Sequence, residues 1–167
     1  MSQTPIDSCH IWQDPAVVRH VDRLCVSFQR VVGRSLGDLP PDLEPIERSR
    51  RIFHAPCVVV SHGTEADPIF NYANQRAIDL WEFSWPEFIQ LPSRWSVEPV
   101  AQEERAKMLA EAAERGYINN YQGIRISKTG RRFRIMNTIV WNLTDEAGNF
   151  YGQGATFADI APIEPAT

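Results

Sequence analysis

Apolar residues recur at three- and four-residue steps through Val17, Val18, Val21, Leu24, Cys25, Phe28, Val31 and Val32, which predicts an amphipathic helix. Asp14 followed by Pro15 supplies an N-cap and a proline at the first helical position, and Gly33 stands where a left-handed C-cap would end the helix. The apolar set spans two adjoining stripes, so this helix needs a surface to cover. Residues 34–45, with three prolines, read as a connector. A short helix over 46–54 follows, and Pro56 stops it.

The period then changes. The run Cys57, Val58, Val59, Val60 reads as a buried strand, 63–67 as a turn and 69–73 as a second short strand. Asn74 caps a helix over 75–83 whose apolar side is Ala77, Ile78, Leu80 and Trp81. Ser84 starts a further short helical piece with Phe88 and Ile89 pointing inward, and Pro92 and Pro99 bracket an irregular stretch. Residues 100–116 form a charge-rich helix with Ala106, Leu109, Ala110 and Ala113 on one side. Everything after it is strand: 117–127, a turn at Lys128, Thr129 and Gly130, then 131–143, a turn at 145–149, and 150–160. Along 131–143 strict alternation puts Phe133, Ile135, Asn137, Ile139, Trp141 and Leu143 on one face. Arg132, Arg134, Met136, Thr138, Val140 and Asn142 fall on the other. The fold class is α+β: a five-stranded antiparallel sheet in the order 2-1-5-4-3, helices 75–83 and 100–116 on one face, and an N-terminal helical extension. Residues 15–32 are expected to pack on the outer face, against Met136, Thr138 and Val140, in the same chain or in a two-fold partner.

Composition narrows the function classes. The chain has 167 residues, 43% of them hydrophobic, and a formal net charge of −4, so no global field recruits nucleic acid or an acidic membrane. Three cysteines, Cys9, Cys25 and Cys57, occur without a CxxC spacing, which argues against a disulfide framework or a zinc site. Cys9 and His10 would need ligands from elsewhere to bind metal. The first fourteen residues lack the basic start and apolar run of a signal peptide, and no window has the length of a membrane span, so a cytoplasmic protein is expected.

Local motifs point further. Tyr72-Ala73-Asn74, Ala77, Leu80, the corner Trp81-Glu82-Phe83-Ser84, the hairpin around Lys128-Thr129-Gly130 and the closing Phe157-Ala158-Asp159-Ile160 together resemble the PAS fold over about residues 57–160. Within that superfamily the stretches SHGTEADPIFNYANQRAIDLWEFSWPEF, LPSRWSVEP and ISKTGRRFRI resemble the MEKHLA group. That PAS-like domain occurs in small bacterial proteins and at the C-terminus of plant class III homeodomain-leucine zipper proteins. One departure stands out: Glu82 occupies the corner where PAS domains usually have glycine, which predicts a different backbone turn there. The resemblance divides the chain into a helical extension and connector over 1–56, the PAS-like domain over 57–161 and a tail over 162–167.

It implies a sensory or regulatory domain that binds a small molecule or a protein partner, with no built-in output module. No cofactor is expected: the Asn-Cys-Arg-Phe context of a flavin photoreceptor is missing, and residues 100–116 hold no histidine for a haem. Expected partners are a small-molecule ligand and a homodimer through the N-terminal helix and outer sheet face, but neither nucleic acid nor membrane. The candidate ligand-binding residues are Trp81, Phe88, Arg94, Trp95, Asn137 and Trp141. Aromatic walls with a few polar points suit a flat ligand, and Arg94 and Trp95 lie in a loop that covers the cavity mouth in PAS-like folds. An amide among apolar neighbours, as alternation places Asn137, either meets a ligand or bonds a helix backbone or a buried water. Two alternatives stand beside this reading. One is a small enzyme using a pocket under the sheet; His62, Glu65 and Asp67 are close in sequence, but no nucleophile, phosphate loop or HExxH accompanies them, and no catalytic or metal residue is assigned. The other is a purely structural interaction module with a filled core.

Overall fold

The structure is a computed structural model and describes residues 8–164. The N-terminal stretch 1–7, the side chains of Ser8 and Cys9 and the end of the tail, 165–167, lie outside the described residues. Helix α1 spans Pro15–Val32 and α2 Pro45–Phe53. Strands β1 (Val58–His62) and β2 (Phe70–Ala73) follow. Then come α3 (Gln75–Trp81), α4 (Trp85–Phe88) and α5 (Gln102–Arg115). The chain closes with β3 (Tyr117–Ile126), β4 (Arg132–Thr144), β5 (Phe150–Phe157) and β6 (Asp159–Pro162). The antiparallel sheet has the order β2-β1-β5-β4-β3. A sixth strand is added to the expected five, because the last stretch breaks at Ala158 and β6 pairs with the first half of β4.

Helix α1 forms as its caps dictate. The Asp14 carboxylate accepts from the Ala16 amide at 2.8 Å, and Gly33 takes φ 86° while its amide donates to the Gln29 carbonyl. Its face of Val17, Val21, Leu24 and Phe28 is buried, together with Ile52 and Phe53 of α2, against Val59, Trp141 and Leu143. Phe28 meets the Trp141 indole edge-on with ring centroids 4.9 Å apart. The helix therefore covers the outer face of its own sheet.

The residues that receive it are the opposite set from those expected. Alternation along β4 fails at Asn137, whose φ of 52° puts it in the left-handed region. Phe133 and Ile135 before it pack under α3, and Val140 after it packs under α5. These inward residues are separated by a step that strict alternation forbids. Ile139, Trp141 and Leu143 consequently face α1, whereas Thr138 and Val140 face inward. Asn120 on β3 is also left-handed, at φ 58°, and Tyr121 pairs with Thr138 between two register shifts. The break at Ala158 continues the same line across the sheet, since β5 pairs with β4 from Ile139 onward and β6 with β4 up to Met136. Three strands thus change face together. The inner-face residues of β4 stay buried on both sides of the break, and its outer face becomes apolar where α1 lies.

At the corner after α3, Glu82 adopts φ 64°. The turn is the left-handed one a glycine would make, contrary to the expectation of a different backbone path. Its carboxylate holds the conformation in place by accepting from Ser127 Oγ at 2.7 Å and from the Thr129 amide and hydroxyl, which fastens the β3–β4 hairpin to the end of α3. Helix α3 ends at Trp81, before the expected Phe83. Asn74 does more than cap it. Its amide oxygen accepts from Ala77 N and Val59 N, and its nitrogen donates to the Ile52 and Cys57 carbonyls at 3.0 and 2.8 Å. All four hydrogen-bonding positions of a fully buried amide are used.

Candidate functional site

A cavity of about 50 Å³ lies between α5 and the inner face of β1, β3, β4 and β5. One water needs roughly 10–15 Å³ of such space, so the cavity takes about three to five waters. Its apolar wall includes Val60, Phe70, Ile135, Val140, Ala155 and Phe157. Its polar lining includes His62, Arg105, Tyr121, Arg125, Thr138 and Gln153, and Trp81 also lines it.

The elements place these groups for identifiable reasons. Arg105 projects from α5 on the same stripe as the buried Met108 and Ala112, at the three- and four-residue spacing that normally carries hydrocarbon. Its Nη2 donates to Ser93 Oγ at 2.8 Å. Arg125 comes from β3, donating to the Ile124 carbonyl at 3.0 Å and to the Tyr121 hydroxyl at 3.3 Å, with its guanidinium 5.5 Å from the Tyr121 ring centroid. The two arginines are 9% and 7% exposed, and among the described residues neither forms a salt bridge. Asp67, the carboxylate whose charge acts on Arg105, is engaged with Arg94 at 3.0 Å. Burial, and secondarily the charge of Arg125, brings the Arg105 pKa down to about 10.

His62 belongs to β1 and is 8% exposed, so it is not part of an exposed turn with Glu65 and Asp67. Its Nδ1 bonds the Gly63 carbonyl at 3.0 Å, which makes Nδ1 the protonated nitrogen and Nε2 an acceptor. Burial lowers its pKa from the ordinary histidine value. His62 Nε2, Thr138 Oγ1 and Trp81 Nε1 are buried without a hydrogen-bond partner. Gln153 is better served, its amide donating to the Leu109 carbonyl at 3.0 Å. Among the described residues no group of three histidine, cysteine or acidic side chains is arranged to hold a metal.

Of the six residues expected to bind ligand, Trp81 lines this cavity. Phe88 stands behind it, fully buried, with its ring 5.9 Å from Trp81 and 4.8 Å from Phe70. The other four lie away from the cavity. Asn137 is exposed and bonds Asp159, because the bulge turns it out of the apolar face. Trp141 is buried on the outer face under Phe28, carried there by the same bulge. Arg94 turns outward to Asp67 and over the ring of Trp95, which is 53% exposed. The expected loop does reach the cavity, but through Ser96, with Ser93 bound to Arg105. Sequence reasoning does not place Arg105, Arg125 or Thr138 at the cavity, and it weighs His62 only together with Glu65 and Asp67. Arg105 carried a readable signal, a cation inside an apolar stripe. Thr138 did not, because its direction depends on the bulge.

The family model for the MEKHLA domain matches residues 18–161. The chain belongs to the MEKHLA domain family. Comparison with curated proteins finds no match. Among solved structures, a PAS domain from Colwellia psychrerythraea is similar at 16% identity and a TM-score of 0.59, covering 70% of this chain and 94% of that one. A light-oxygen-voltage domain studied with a flavin analogue is similar at 17% identity and a TM-score of 0.55, covering 71% and 85%. The light-state dimer of the fungal blue-light photoreceptor Vivid is similar at 15% identity and a TM-score of 0.51, covering 62% and 78%. These likenesses show that this chain has the PAS-type fold. A flavin does not fit this chain: a cavity of about 50 Å³ is too small for a three-ring isoalloxazine, and neither Cys25 nor Cys57 lines it. No described helix is long and apolar enough to cross a membrane.

Proposed function

We propose that this MEKHLA domain is a sensory or regulatory module that binds a small molecule in the cavity beneath its sheet and presents the result to a protein partner. The supporting observation is that three residues lining one cavity, His62, Thr138 and Trp81, each bury a polar atom (Nε2, Oγ1 and Nε1) without a hydrogen-bond partner. Buried polar groups are nearly always satisfied, and leaving each unmade costs about 1–3 kcal/mol. Three of the five such atoms described belong to residues of this one void; the other two, Tyr72 Oη and Trp141 Nε1, lie in the packed cluster beneath α1. Fold likeness alone carries no function, so the weight of this reading rests on the cavity.

Native mass spectrometry of the freshly purified protein tests the reading. The expected result is a low-mass adduct that is lost when Ala155, which lines the cavity, is replaced by Leu to fill the space. A protein that carries no adduct, and whose spectrum is unchanged after incubation with a cell-derived metabolite extract, contradicts it and favours the interaction module.

A further inference from the structure

Among the described residues, Arg105 and Arg125 are two cations buried beside one cavity without a carboxylate paired to either. A buried guanidinium has five N–H donors, and the described contacts use few of them: Ser93 Oγ for Arg105, the Ile124 carbonyl and the Tyr121 hydroxyl for Arg125. Two like charges brought out of water next to each other are costly unless an anion joins them. The guanidinium fork matches a carboxylate in two parallel hydrogen bonds. Hydrocarbon from Ile135, Val140 and Phe157 forms the remaining wall, which suits an aliphatic tail and would leave outer oxygens of phosphate or sulfate unpaired. The cavity volume of about 50 Å³ limits the molecule to roughly the size of three to five waters. His62 Nε2, an acceptor, and Thr138 Oγ1 can serve a hydroxyl on the same molecule.

We infer that the cavity is a binding site for a short-chain carboxylate or hydroxycarboxylate, its carboxylate held between Arg105 and Arg125 and its carbon chain against Ile135, Val140 and Phe157. The inference rests on the reading of the cavity as the ligand site and adds the chemical class.

The test is a thermal-shift titration of the full chain with acetate, propionate and lactate, against propionamide, phosphate and chloride at matched ionic strength. The expected result is a saturable rise in Tm with the carboxylates only. Arg105→Met and Arg125→Met should each weaken the apparent affinity at least about tenfold, the scale of losing a charge-assisted hydrogen bond. Their own Tm without ligand should be equal to or above that of the wild type, because an uncompensated buried charge has been removed. Where a Met variant does not fold, the Lys variant is read instead, and loss of the fork should still weaken binding. No shift with any carboxylate overturns the inference, and so does an equal shift with phosphate or chloride. An equal shift with propionamide also overturns the carboxylate assignment and leaves the cavity as the site. A carboxylate shift that survives both arginine variants places binding elsewhere and overturns both readings.

Discussion

The side-chain amide of Asn137 donates to the Asp159 carboxylate at 2.7 Å, across the point where β5 gives way to β6 and β4 changes face. This bond sits at the pivot of the fold. Below it the outer face of β4 carries Arg132 and Arg134, both exposed; above it the outer face carries Trp141 and Leu143, both buried under α1. Asparagine suits the position because it tolerates the left-handed region better than other non-glycine residues. Asn137→Val should destabilise the protein by about 1–3 kcal/mol, read as a lower urea midpoint, whereas Asn137→Gly should stay within about 1 kcal/mol of the wild type. Equal midpoints for the two variants would show that the backbone there is not strained.

The docking of α1 on its own sheet makes Phe28 a core residue, 1% exposed. Phe28→Ala should cost about 3–5 kcal/mol in chemical denaturation. Its partner Trp141 lies flush on the backbone of Gly154, where an added Cβ would come within 2.6 Å of the indole. Gly154→Ala should therefore loosen the same contact, lowering Tm and raising amide exchange along α1 together. A variant that loses Tm while α1 exchange is unchanged would separate the helix from the sheet it is said to cover.

His20 links α1 to β1. Its Nε2 lies 2.7 Å from Ser61 Oγ, and Ser61 in turn donates to Asn71. Burial, with a smaller contribution from Arg23, lowers the His20 pKa from 6.5 to about 4. The folded state then binds fewer protons than the unfolded state between those values, so stability is complete above pH 6.5 and is lost as the pH falls toward 4. The difference corresponds to roughly 3 kcal/mol at most. His62 shifts in the same direction, so His20→Gln should flatten the fall in Tm between pH 7 and pH 4.5 without abolishing it. An unchanged slope would place His20 outside the linkage.

Asn74 offers a sharper electrostatic test. Asn74→Asp keeps the shape but replaces two donors with an acceptor facing the Ile52 and Cys57 carbonyls. The loss should exceed about 3 kcal/mol at pH 7. The burial and the facing carbonyls raise the new carboxyl pKa, so the deficit relative to the wild type should shrink as the pH falls and the group takes up a proton. A deficit independent of pH would mean the site has opened to water.

Much of this architecture is legible in the sequence. Helix α1 is bounded by Asp14, Pro15 and Gly33 because cap chemistry is local, and the strand order follows from two hairpin turns and the PAS resemblance. What escaped was the direction of individual side chains. Alternation is a local rule, and a single left-handed residue reverses it for everything beyond. Alternation predicts a buried Asn137 and a pocket-facing Trp141, because nothing in the run from Arg131 to Leu143 marks a bulge. The position of their loop predicts Arg94 and Trp95 at the cavity, but Asp67 draws Arg94 outward. The cavity itself depends on long-range pairing of β1, β3, β4 and β5, which no window of sequence contains.

The indole N–H resonances of the tryptophans test the central claim most directly. Trp81 lines the inner cavity, Trp141 lies buried on the opposite face, and Trp95 is exposed in the loop. Titration of uniformly nitrogen-15-labelled protein with propionate or lactate should move the Trp81 indole signal and leave those of Trp141 and Trp95 in place. Movement of Trp141 or Trp95 with Trp81 unchanged would contradict a ligand site beneath the sheet.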